Sequence, residues 1–89
     1  MQLESLEELR VFAQVVESGS MSGAARVLGL PANTVSRRIA SLEERVGVRL
    51  LNRTTRSVGL SEHGRALLAP THQVLESVER AEAALRRDR

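Results

Sequence analysis

Eighty-nine residues, 42% of them hydrophobic, are enough for one small core and too few for several. There is no Cys, which excludes disulfides, thiolate metal sites and thiol catalysis. Phe12 is the only aromatic residue, so there is no stacking platform for single strands or RNA. The net charge of +2 hides an uneven distribution. Residues 1–36 hold two Arg against four Glu, residues 37–65 seven Arg against three Glu, and residues 66–89 four Arg against four acids. Positive charge therefore collects in the middle of the chain, either as a footprint for phosphate or as a solvated basic face. All thirteen basic residues are Arg, a side chain that forks onto guanine or phosphate.

Ser5-Leu6-Glu7-Glu8 is an S-x-x-E capping box and opens a first helix near Leu6. Leu6, Leu9, Phe12, Ala13 and Val16 form its inward stripe, and Ser18-Gly19 ends it. Ser20 heads a second helix from Met21 to Leu28, either as a simple N-cap or as a contact to a DNA phosphate. Small Ala25, then Leu28, Gly29 and Leu30, describe a tight corner into a third helix from Ala32 to Val46. Val35, Ile39, Leu42 and Val46 mark its buried face.

Two short helices joined this way are a helix-turn-helix, whose second helix enters the DNA major groove. Glu43 and Glu44 would be repelled by phosphates, so only the N-terminal half can enter. Ala32, Asn33, Ser36 and Arg37 are the residues able to reach base edges, Asn suiting adenine and Arg guanine. Arg38 lies nearer the core side and suits a phosphate.

Val48–Arg53 is strand-like, Thr54–Ser57 is polar and Val58–Leu60 is apolar, which predicts a two-stranded hairpin, a wing. Arg53, Thr55 and Arg56 at its tip are candidates for the minor groove or phosphates. A disordered basic loop is the alternative. Should Arg53 prove structural, a Glu of a neighbouring helix is its partner.

Ser61 caps a last helix reaching about Arg87, a rod of roughly 35–40 Å. Pro70 should kink or weaken it. Leu67, Thr71, Val74, Val78, Ala81 and Leu85 recur at spacings of 4, 3, 4, 3 and 4, and Leu75 widens this uncharged seam. The seam either folds back on the domain or packs on a partner. The expectation taken forward is a homodimer through Leu67, Thr71, Val74, Leu75, Val78 and Leu85.

These residues together resemble the N-terminal DNA-binding domain of LysR-type transcriptional regulators, from Leu3 to about the end of the chain. The resemblance rests on Leu6, Phe12, Gly19-Ser20, Ala24-Ala25-x-x-Leu28, Val35-Ser36 and Ile39-x-x-Leu42-Glu43. Gly47-x-x-Leu50-Leu51-x-Arg53, Arg56 and Gly64 complete it. Pro31, Ala32 and Asn33 depart from the Ser, Gln and Pro common there, Arg38 from a frequent Gln and Met21 from a usual Phe.

The resemblance implies a mainly α fold: a winged helix-turn-helix over residues 1–60, with a three-helix core and two-stranded wing, and a linker and dimerisation helix over residues 61–89. It further implies a bacterial cytoplasmic, nucleoid-associated regulator binding double-stranded DNA at dyad-symmetric promoter sites. The family's effector-sensing domain is not in this chain, which is read as either a truncated piece or a stand-alone module. With that domain, a tetramer is expected.

Catalysis has little support. His63 and His72 are nine residues apart, hence on opposite faces of one helix, and share neither a metal nor a proton. There is one Asp, no glycine-rich phosphate loop and no H-E-x-x-H, so no cofactor, no metal and no catalytic residue is expected. No apolar run approaches the roughly 18 residues of a membrane span, and no signal peptide is visible. The rival to DNA binding is a helical module that dimerises and never touches DNA.

Overall fold

The computed structural model describes residues 3–53 and 58–87. Among them the order is α1 (Leu6–Ser18), α2 (Met21–Leu28), α3 (Ala32–Val46), β1 (Leu51–Arg53), β2 (Val58–Leu60) and α4 (Glu62–Arg86). Local chemistry sets the starts of α1, α2 and α4 and the ends of α1, α2 and α3. The capping box at Ser5 is closed, with the Glu8 carboxylate accepting from the Glu4 and Ser5 N–H groups at 2.9 and 3.4 Å. Ser20 and Ser61 cap α2 and α4 by accepting from the Gly23 and Gly64 N–H groups.

Gly29 makes the corner between α2 and α3. Its φ of 71° is left-handed, a conformation that costs glycine nothing, and it lets the Leu30 N–H return to the Ala25 carbonyl at 3.0 Å. Leu30 then packs on the core. Ala24 and Ala25 are buried where α2 meets the rest of the domain, and small side chains there allow close approach.

The core joins Val11, Phe12 and Val15 of α1 to Val35, Ile39, Leu42 and Val46 of α3, and adds Leu50 and Leu51 at the root of the wing. The face of α3 is the one its periodicity predicts. On α1 the expected stripe is incomplete: Val11 and Val15 are fully buried, whereas Leu6, Ala13 and Val16 are only half-buried. The reason is tertiary, because α1 is covered by α2 and α3 and also by α4 and β2. A helix packed on several sides buries more than one stripe. Arg45 near the end of α3 pairs with Glu8 at the start of α1, fastening the two helices at that end.

The wing is a two-stranded antiparallel sheet with Leu51 opposite Leu60, Asn52 opposite Gly59 and Arg53 opposite Val58. Its first strand is shorter than the predicted Val48–Arg53. Before Leu51 the backbone is engaged elsewhere: the Leu50 carbonyl accepts from the Ser61 N–H, and the Arg49 carbonyl accepts from the Ser61 hydroxyl. Thr55 and Arg56 lie outside the described residues.

Helix α4 continues unbroken through Pro70 and sets the 47 Å long axis of the molecule. Among the described residues no helix is long and apolar enough to cross a membrane.

Candidate nucleic-acid interface

The first turns of α3 present Ala32, Asn33 and Arg37 to solvent and leave Ser36 half-buried. They face outward because Val35 and Ile39, on the opposite side, are fully buried. Pro31 stands at the N-cap with no side-chain hydrogen bond to the helix. Its carbonyl accepts from Thr34 and Val35, so the amide groups at the mouth of the helix meet no side-chain cap from Pro31.

Arg37 lies back along its own helix. Its Nε donates to the Asn33 carbonyl and its Nη2 to the Thr34 hydroxyl, both at 3.4 Å. These are long, exposed bonds that a stronger acceptor can replace. Arg38 turns toward α1 and meets Glu7 at 3.3 Å, with both side chains about half exposed. An exposed pair of this kind is worth roughly 0–1 kcal/mol, so it does not hold Arg38 away from a phosphate.

The start of β2, opposite Arg53, sits beside the turn from α1 to α2. The Val58 N–H donates to the Gly19 carbonyl at 3.2 Å, which brings the start of β2 next to Ser20. The Ser20 hydroxyl is engaged as the α2 cap, accepting from Gly23 at 2.9 Å. It keeps its own proton as a donor.

Arg53 shares its strand face with buried Leu51, so its side chain starts toward the body of the domain. It ends against Glu43, with Nη2 3.2 Å from Oε1. The other carboxylate oxygen accepts from the Leu50 and Leu51 N–H groups at 2.8 and 3.0 Å. Glu43 is thus the Glu of a neighbouring helix that the sequence offers as a partner for Arg53, and what local patterning does not indicate is its pair of bonds to the Leu50 and Leu51 N–H groups. The available signal was an acid in Leu42-Glu43 followed by the Leu50-Leu51-x-Arg53 pattern.

On α4 the expected dimer seam divides. Thr71 is 1% exposed and donates its hydroxyl to the Leu67 carbonyl within its own helix, so it offers almost no surface to a partner. The physical reason is the direction of packing: α4 lies against α1, and the residues turned that way are spent on the monomer. Leu67 and Leu68 pack partly on the same core, and Leu75 lines a cleft facing Arg10 and Gln14 of α1. Val78 is half-buried. Val74 and Leu85, at 42% and 72% exposed, are what this helix leaves open to a partner. Leu67 also borders an apolar groove with Leu3, Val46, Val48 and Ala66, on the Val74 side of α4. The two histidines line different clefts.

Residues 6–65 match the model of the bacterial regulatory helix-turn-helix proteins of the lysR family. An HTH-type transcriptional regulator of Xanthomonas campestris pv. campestris is 45% identical over 80 residues, covering 90% of this chain and 23% of that protein. The HTH-type transcriptional regulator CrgA of Neisseria meningitidis is 47% identical over 79 residues, covering 89% and 26%. The chain thus spans about a quarter of the length of the curated relatives it matches.

Among solved structures, the BenM DNA-binding domain in complex with catB site 1 DNA superposes with a TM-score of 0.89. It is 32% identical and 94% of each chain is covered. The CbnR DNA-binding domain in its DNA complex gives 0.85 at 30% identity, over 96% of this chain and 98% of that one.

Proposed function

The chain belongs to the lysR family of bacterial regulatory helix-turn-helix proteins, and from that membership we propose that it binds double-stranded DNA sequence-specifically, as a homodimer on a dyad-symmetric promoter site. The observation that carries this reading is the outward face of α3. Asn33 and Arg37, exposed beside half-buried Ser36 and small Ala32, offer the amide and guanidinium groups that pair bidentately with adenine and guanine. The acidic residues of the same helix, Glu43 and Glu44, come later, so the N-terminal half enters the major groove.

Around that face stand groups suited to the backbone. Ser20 at the head of α2, Arg38 on the flank of α3, and Arg53 with Thr55 and Arg56 in the wing are assigned to phosphates or the minor groove. The dimer forms through the open side of α4, where Val74 and Leu85 are exposed and Leu67, Leu75 and Val78 contribute what the monomer leaves uncovered. In a longer protein carrying an effector domain the assembly is a tetramer. The reading assigns no catalytic step, needs no cofactor, and places the protein in the cytoplasm with the nucleoid.

Selection of bound sequences from a random duplex pool, followed by titration of the winner at rising salt, tests the proposal. Enrichment of a two-fold site and a linear fall of log affinity with log salt are expected. A pool that enriches nothing, with binding insensitive to salt, would leave a dimerising module that never touches DNA.

A further inference from the structure

We propose that Glu43 is the positioning residue of the wing, holding the Arg53 guanidinium in the orientation in which it meets DNA; this rests on the reading of the wing as a DNA contact. The Glu43 side chain is only 11% exposed, so its charge needs partners from the protein. It has three. Oε2 takes the adjacent N–H groups of Leu50 and Leu51 at 2.8 and 3.0 Å, and Oε1 takes Arg53 Nη2 at 3.2 Å.

The consequences run along the chain. Leu50 and Leu51 are 3% and 0% exposed, so their side chains anchor the segment in the core while Glu43 anchors its backbone. With both ends of these two residues held, the direction in which β1 leaves the body is set by α3. Arg53 follows two residues later, on the Leu51 face of the strand, and reaches the same carboxylate. One side chain of α3 therefore holds both the wing root and Arg53.

A guanidinium has five N–H donors, and the Glu43 contact uses one. Among the described residues nothing else takes an Arg53 guanidinium N–H, which leaves the remainder for a phosphate or a minor-groove acceptor. Held in place by Glu43, the side chain has less freedom to lose on binding than a free arginine. The pairing also offsets the charge of a carboxylate on α3, the helix read as entering the groove.

The opposite outcome is a Glu43 that competes with DNA for Arg53, and a double-mutant cycle separates the two. Affinity for the selected duplex is measured by fluorescence anisotropy for the wild type, Glu43→Gln, Arg53→Ala and the double variant. Glu43→Gln keeps one oxygen for the Leu50 and Leu51 N–H groups and loses the charged acceptor at Arg53. Positioning predicts a roughly fivefold to tenfold weaker complex for Glu43→Gln, in line with a lost charge-assisted bond. It also predicts that the double variant is no weaker than Arg53→Ala alone, and that preference for duplexes with a narrow minor groove falls equally in both single variants.

Glu43→Gln binding as tightly as the wild type, or more tightly, overturns the inference. So does a double variant weaker than Arg53→Ala by the full Glu43→Gln factor, which would mean that Glu43 acts only by supporting the fold. Arg53→Ala at wild-type affinity would sink the wing reading itself. Should Glu43→Gln melt early, the wild type answers without mutation. The Arg53 Nε–Hε resonance should be ordered in the free protein and stay so on the duplex, with the Glu43 pair intact. Its release on binding would overturn the proposal.

Discussion

Gly64 lies against the Leu50 carbonyl so closely that a Cβ on Gly64 would fall well inside contact with that oxygen, and the Leu60 side chain adds a second obstacle at 3.0 Å. The first turn of α4 is thereby seated directly on the wing root, with Ser61 bonded to both Leu50 and Arg49. Gly64→Ala should force α4 away from the wing at about 1–3 kcal/mol, the usual cost of overpacking. A thermal melt should fall by roughly 4–8 °C per kcal/mol in a domain this small. Gly29→Ala is a useful contrast. Nothing lies within 4 Å of a Cβ there, but φ is +71°, so about 1–2 kcal/mol should be lost to backbone strain alone. Gly29→Asn should recover part of that loss and Gly64→Asn none of it. A Gly64→Ala variant melting with the wild type would show that α4 is not seated as described.

Arg37→Ala and Arg38→Ala should differ in kind. Arg37 faces outward at the start of α3, and its loss should cost ~1–3 kcal/mol on the selected duplex and relax the preference at one base pair. Arg38, paired with Glu7 on the flank, should weaken specific and random duplexes alike and reduce the salt slope by about one. Parallel anisotropy titrations on both duplexes check this. Equal losses for Arg37→Ala would make it a phosphate contact.

The seam can be probed without disturbing the monomer. Val74 is 42% exposed, so Val74→Glu should leave the melt of the free chain within about 0.5 kcal/mol of wild type. In a dimer it places a carboxylate from each chain in the contact, where an unpaired buried charge is costly. Sedimentation equilibrium should show the wild type dimerising and the variant shifted to monomer. A variant as dimeric as its parent would remove this face of α4 from the interface.

Thr71 supplies the control for that experiment. Its hydroxyl serves only the Leu67 carbonyl of its own helix, and its side chain is buried in the monomer. Thr71→Val should therefore leave the dimerisation constant unchanged, while Thr71→Arg should destabilise the chain even where it is monomeric. A melt separates the effects, and a dimer-specific loss in Thr71→Val would return Thr71 to the interface.

Helix limits and the helix-turn-helix corner were legible because they depend on neighbours in sequence. Ser5 with Glu8, Ser20, Gly29 and Ser61 cap or end helices through bonds spanning a few residues, and Val35, Ile39, Leu42 and Val46 repeat at one helical period. The outward placement of Ala32, Asn33 and Arg37 follows from the same period, since burying one face of a helix exposes the other. What the tertiary structure alone decided concerns side chains whose partners are distant in sequence. The burial of Val11 and Val15 required knowing that α1 is covered on several sides. The division of the α4 seam, with Thr71 inside and Val74 outside, required the direction in which α4 meets α1, which an uncharged heptad leaves open. The sequence offers Arg53 a Glu on a neighbouring helix. That this is Glu43, and that the same carboxylate also clamps Leu50 and Leu51, depends on bonds joining a helix to a strand across seven to ten residues. Local periodicity says nothing about such a bond, because its geometry exists only once the core has brought the wing root against α3.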